Sequence, residues 1–229
     1  MRTIRRLAFA AAALLGAGSM PAAFAQAEPW EAGKHYFLID PPQPTASGDK
    51  IEVTEVFSYG CPACNTAYPQ IDALRKQLPA NATLNFVPAS FNPAEDWPMF
   101  QRAYLAAKAL GIADKTHDAM FDAVWKSGEL AIFDKTTNRL KQPLPTIEDA
   151  ARFYAKFGVT AEQFLATANS FTINTRMKQA DAYIKATGVE STPTLIVNGK
   201  YRLTAQSAGD WSKLQQLVLY LIRRETGGK

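Results

Sequence analysis

Apolar residues along the chain follow two different periods, and the change of period marks its organisation. From Ile51 to Phe57 β-branched and aromatic residues dominate, which predicts a strand; Thr83 to Val87 predicts a second. Between them, Pro62 to about Leu78 reads as a helix. Pro69 falls inside it and should kink it, having no backbone donor. Residues 28–50 are rich in proline, glycine and polar residues apart from Tyr36-Phe37-Leu38-Ile39, so a mobile arm with one short edge strand is expected there.

At Asp96 the period becomes helical. Asp96 is placed as a cap with Pro98 in the first turn, and Trp97, Phe100, Tyr104 and Ala107 line one face up to Gly111. A helix opening at Asp114 carries His117, Met120, Phe121, Val124 and Trp125. Thr146 with Asp149, and Thr160 with Gln163, have capping-box spacing ahead of apolar runs. A longer helix is expected over 174–187, ended by Gly188. Thr194 to Val197 then reads as a strand, Asn198-Gly199 as a two-residue hairpin turn and Tyr201 to Leu203 as the return strand. Trp211, Leu214, Leu217, Val218 and Leu221 mark a final amphipathic helix. The expected class is α/β: segments 26–95 and 174–229 build one layered unit, and the helices of 96–173 are an insertion.

The first 25 residues stand apart. Arg2, Arg5 and Arg6 precede the apolar run Leu7–Leu15, which is too short to span a bilayer. Ala23-Phe24-Ala25 fits an export-signal cleavage site, with Ala25-Gln26-Ala27 a close second. The chain is therefore expected to be exported, and cut near Ala25 or Ala27. That cut removes three arginines and no acid, so the formal +4 falls to about +1. With no basic patch interleaved with aromatics, nucleic acid is not an expected partner.

The chain has only two cysteines, Cys61 and Cys64. A structural disulfide gains most by closing a long loop, and this spacing closes almost none. A chain of this length also buries enough core to fold unaided. Zinc would need two more ligands, and the only histidines, His35 and His117, lie at no ligand spacing from the pair. Redox chemistry is the reading that fits. Cys61 follows a strand and precedes Pro62, a residue favoured at the first helical position, so Cys61 sits at a helix N-terminus. Free N–H groups and the helix dipole there favour a thiolate. Cys61 is thus the nucleophile, and Cys64, one turn on, the more buried resolving thiol.

Two further residues are candidates. Glu55 shares a strand face with Ile51, Val53 and Phe57, so it is either a buried acid able to exchange a proton with Cys64 or part of a solvated patch. Pro193, in Thr192-Pro193-Thr194, precedes a strand, where a cis Thr–Pro bond or an ordinary trans start would both fit.

The segments Glu55-Val56-Phe57-Ser58-Tyr59-Gly60-Cys61-Pro62-Ala63-Cys64 and Gly188 to Gly199, in that order around a helical block, resemble the bacterial DsbA family of the thioredoxin superfamily. The resemblance covers nearly all of the chain after the leader. It implies a thioredoxin fold with an inserted all-helical domain and a dithiol oxidase that passes the Cys61–Cys64 disulfide to newly exported proteins. It also implies a cis-Pro193 facing the disulfide, a backbone docking position at Thr192, and Pro62 and Ala63 beside the substrate. Glu55 would be the family's buried acid. No cofactor is implied. A membrane quinone reductase of the DsbB type would reoxidise the pair, and the chain would be monomeric. Ala63 stands where this family most often has histidine, which implies a less oxidising pair, and no lysine lies between Thr83 and Val87 to partner Glu55.

Other functions are open to the same residues. A reductase would draw electrons from the cytoplasm. An isomerase of this superfamily usually carries a dimerisation domain, for which 26–50 is too short. A copper metallochaperone would recruit a His or Met near the motif, and none is adjacent. A holdase would keep its function when both cysteines are replaced by serine.

Overall fold

The computed structural model describes residues 29–227, so the leader and its cleavage positions lie outside the described residues. Among the described residues one mixed sheet runs in the order β1-β5-β4-β2-β3, built from β1 (Phe37–Leu38), β2 (Ile51–Phe57), β3 (Ala82–Pro88), β4 (Thr194–Val197) and β5 (Tyr201–Leu203). β2 pairs parallel with β3, which requires the crossover helix α1 (Pro62–Gln77); β2–β4, β4–β5 and β1–β5 are antiparallel. The C-terminal pair β4 and β5 thus lies between the N-terminal strands β1 and β2 in one sheet. Neither end can bury its apolar face without the other.

β2 is central, and all seven of its residues are buried. Its face bearing Val53 and Phe57 joins a core with Ile71 and Leu74 of α1 and with Leu214, Leu217, Val218 and Leu221 of α8 (Trp211–Glu225). The opposite face places Val56 and Ile196 against Ile184 of α6 (Phe171–Ala186) and Ile39 of the N-terminal arm. With both faces covered, alternation cannot tell inside from outside here.

Between β3 and α6 the chain forms α2 (Trp97–Ala109), α3 (Ala113–Asp122), a π-type turn Ala123–Ser127, α4 (Ile147–Ala155) and α5 (Ala161–Ala168). α2 packs against α3, α4, α5 and α6. Accordingly it is buried on more than the face bearing Trp97, Phe100 and Tyr104; Gln101, Ala103 and Leu105 are also inside. Both capping boxes form: the Thr146 and Thr160 hydroxyls accept from the Asp149 and Gln163 N–H groups, and each partner side chain accepts from the cap backbone in return.

Several local expectations are corrected. Asp96 precedes α2 but makes no side-chain cap, because its backbone lies in the left-handed region at φ 54°. α6 starts at Phe171 because the Ser170 hydroxyl accepts from Ile173 N–H, so a division of the chain between 173 and 174 falls inside a helix. A short helix α7 (Ala205–Ala208), capped by Thr204, was not anticipated. The hairpin after β4 spans three residues, since Val197 pairs with Tyr201 rather than Lys200. The arm at 29–50 is tied down: Tyr36 and Ile39 are buried, and Gln43 N–H donates to the Gly199 carbonyl at 2.9 Å.

Gly199 combines two demands. Its φ is +65°, and a Cβ built there would lie 2.0 Å from the Gln43 carbonyl oxygen. Gly199→Ala is therefore expected to lower stability by about 2 kcal/mol or more, read as a shift in the urea midpoint. A variant with an unchanged midpoint would mean that the arm does not rest on this turn.

Candidate active site

Strand β2 ends at the sheet's rim, and the next residues turn sharply into α1. Ser58 makes this turn: its carbonyl accepts from Cys61 N–H at 3.1 Å and its hydroxyl from Gly60 N–H at 3.2 Å. Gly60 is required by close approach, because a Cβ there would meet Trp97 Nε1 at 2.7 Å. A second indole fixes the turn from the other side, Trp125 Nε1 donating to the Tyr59 carbonyl at 2.8 Å. The inserted helices thus hold the loop that carries the first cysteine.

Cys61 is the N-cap of α1, followed by Pro62 at N1, as the sequence predicts. Its sulfur accepts from the Cys64 backbone N–H at 3.3 Å. Burial alone would raise a thiol's pKa, but here the thiol falls to about 6. The largest cause is a hydrogen bond from the Cys64 side chain; the Thr192 side chain and the Cys64 and Ala63 backbone N–H groups add to it. The Thr192 carbonyl, 3.5 Å from the sulfur, can accept only from the protonated thiol and so works against the thiolate. Cys64 is completely buried. Its pKa is pushed well above the ordinary value by burial, then by its hydrogen bond to Cys61 and the charges of Cys61 and Glu55. Both cysteines are free thiols here.

Glu55 is buried, in register with Phe86 of β3 and Leu195 of β4. Among the described residues no hydrogen bond reaches its carboxyl. Burial, and secondly the Cys61 charge, raise its pKa to about 8, while the Arg75 charge opposes them. Glu52, on the other face of β2, is equally buried but differently placed. It accepts from Ala46 N–H, the Ser47 hydroxyl and the Thr54 hydroxyl at 3.1, 2.6 and 2.9 Å. Reading the sequence by strand parity missed Glu52, and it missed Arg75, whose guanidinium lies 5.6 Å over the ring of Phe86. Three residues beyond Asp72 on α1, Arg75 reads as an ordinary surface position; only the strand beneath it reveals the contact.

Thr192–Pro193 is a cis peptide; the Thr192 carbonyl reaches the Cys61 sulfur, and both residues line a groove of about 490 Å³ that begins beside it. Ala63, Thr66, Ser191, Thr204 to Gln206 and Trp211 complete its walls. Pro62 is exposed at the start of α1 and is not part of that lining. Ser191, Thr204 to Gln206 and Trp211 were not anticipated, because the groove is assembled from segments more than a hundred residues from the cysteines. His117 lies away from the groove, in a cage of Phe57, Tyr59, Phe86, Tyr104 and Phe121. It is 3.0 Å from the Tyr59 hydroxyl, and burial lowers its pKa to about 3. His35 is in the arm, accepting from Glu31 N–H.

Comparison with known proteins agrees with this geometry. A thioredoxin family model matches residues 47–216. The thiol:disulfide interchange protein DsbA of Pseudomonas aeruginosa is 35% identical over 213 residues, 93% of this chain and 94% of its own length. The protein of the same name from Azotobacter vinelandii is 34% identical over 84% of this chain and 83% of its own. A crystal structure of Pseudomonas aeruginosa DsbA superposes with TM-score 0.73 at 35% identity, covering 87% of this chain and 96% of that one. The oxidoreductase DsbA from Xylella fastidiosa gives 0.74 at 33%, covering 85% and 97%. The architecture is a thioredoxin fold with an inserted all-helical domain, and the chain is a thiol:disulfide oxidoreductase. It belongs to the DsbA family of thiol:disulfide interchange proteins.

Proposed function

We propose that Cys61 and Cys64 are the redox pair of a periplasmic dithiol oxidase that donates its disulfide to newly exported proteins. The observation that carries the direction of transfer is the lowered pKa of Cys61, about 6. A substrate thiolate attacks the Cys61 sulfur, and Cys64 leaves with the electron pair, giving a mixed disulfide. A second substrate thiol then attacks the substrate sulfur of that bond, and Cys61 departs as a thiolate. The substrate leaves with one new disulfide, and the enzyme holds two electrons more. A low-pKa leaving group speeds the second step, and stabilising the reduced state makes the pair a stronger oxidant.

Glu55 suits the first step. The Cys64 thiolate is disfavoured by burial and takes up a proton as it forms; a carboxyl with a pKa near 8 is protonated at neutral pH and can supply it. Thr192 and Pro193, with Ala63, form the surface on which an extended substrate segment lies, a small case of strand addition. Reoxidation falls to a membrane quinone reductase of the DsbB type. The leader pattern of residues 1–25 supports export, and among the described residues no helix is long and apolar enough to cross a membrane.

The deciding experiment is the redox equilibrium of the mature protein with glutathione, together with a thiolate titration by ultraviolet absorbance. The thiolate of Cys61 is expected to titrate near pH 6. Because that pKa is depressed, the extra stability of the reduced protein is present above the unfolded thiol's pKa and is lost as pH falls through about 6. An unshifted thiol and a thioredoxin-like potential would instead favour a reductase or isomerase.

Glu55→Gln has the opposite sign. A raised carboxyl pKa gives stability that is fully present below about 4.5 and lost as pH rises through about 8. The glutamine variant should therefore gain roughly 3 kcal/mol over the parent at pH 7 and little at pH 4 in urea titrations. It should also slow release of the Cys64 thiolate in stopped-flow oxidation of a dithiol peptide. Equal gains at both pH values would remove Glu55 from this role.

Ala63 is exposed in the first turn of α1, and its N–H favours the Cys61 thiolate. A cation added there should strengthen that preference. Ala63→His is expected to lower the Cys61 pKa further and raise the potential by about 30 mV for each tenfold change in the glutathione equilibrium constant. An unchanged constant would show that the existing donors already saturate the sulfur.

A further inference from the structure

We propose that the substrate groove continues around the rim of the sheet into a second subsite, where Arg202 receives a glutamate side chain of the substrate protein. This deepens the oxidase reading and rests on it. A cleft of about 140 Å³ is lined by Phe37, Glu190, Ser191, Arg202 and Thr204, among others. Ser191 and Thr204 are also walls of the groove at Pro193, so the two spaces meet along the rim. Arg202 is the middle residue of β5, in register with Phe37 of β1 and Ile196 of β4. Its side chain therefore lies on the face opposite Leu195 and Leu203, and a chain leaving the cysteines reaches it by crossing Ser191 and Thr204.

The guanidinium is held but not satisfied. Its carbon sits 5.6 Å over the ring of Phe37, and a Cβ at Gly188 would lie 2.9 Å from its Nη1. Among the described residues it makes no hydrogen bond and no ion pair, which leaves its planar fork of donors free for a carboxylate. The cleft has room for one side chain. The half-exposed Phe37 ring offers an apolar wall for the methylenes of glutamate, which favours it over aspartate. Among the described residues, Glu190 is the one acid lining the cleft. It is exposed, forms no ion pair with Arg202, and opposes an incoming carboxylate by like charge.

The test is a rate measurement with oxidised full-length mature protein and dithiol peptides, in which each position within about five residues of the reacting cysteine is Glu or Gln. One fixed offset should react about 3- to 10-fold faster with Glu, and less so at high salt. In Arg202→Met that ratio should fall to about one. Arg202→Lys should keep part of it, and Glu190→Gln should increase it. A flat scan on peptides that the protein does oxidise, or a preference that survives Arg202→Met, overturns the subsite and leaves the oxidase reading standing. A protein that equilibrates with glutathione but oxidises none of the peptides overturns both.

Discussion

Everything at the active site depends on the meeting of one sulfur with the first turn of one helix. The Cys64 thiol is the strongest donor to the Cys61 sulfur, and the N–H groups of Cys64 and Ala63 add to it because Cys61 caps α1; all of them stabilise a thiolate better than a sulfur already bound in a disulfide. The reduced state therefore gains an interaction that the oxidised state lacks. This requires the helix start to be fixed within tenths of an ångström. The Ser58 turn, the Trp97 indole against Gly60 and the Trp125 bond to the Tyr59 carbonyl provide that fixity. Two of these three come from the inserted helices, which gives them a part in the chemistry without contributing a reacting group.

Burial at the centre of the sheet supplies the second ingredient. β2 is covered on both faces, so any carboxylate on it loses its water. The two acids of the strand meet this differently. Glu52 recovers three hydrogen bonds from the arm and from Thr54, and acts as a structural anchor. Glu55 recovers none among the described residues, and burial raises its pKa to about 8. Arg75, stacked over Phe86 beside it, is the charge that limits the rise. β3 carries no lysine, and the opposing charge comes instead from α1, where Arg75 lies over the ring of Phe86.

Much of this was legible in the residues because it is local. Strand periods, capping boxes, the Pro62 start of α1 and the consequence of Cys61 sitting at that start are set by neighbours within four positions, and they appear in the structure where the sequence puts them. The errors are local as well. The left-handed Asp96 makes no side-chain cap, Ser170 caps α6 ahead of the expected start, and a third residue enters the β4–β5 turn.

That two cysteines one helical turn apart stand at a helix start, and that their chemistry is redox, follows from the order of the residues alone. Short-range geometry and the helix dipole suffice for that. The loss of water at Glu55 comes from long-range packing, because burial on both faces of β2 depends on helices remote in sequence. The tertiary structure alone brought Thr192 and Pro193 across from β4, and it alone built the groove walls from Thr204 to Trp211. These are contacts between residues more than a hundred positions apart. No period or propensity encodes them, since they follow from how β4 and β5 pair into a sheet begun at the other end of the chain.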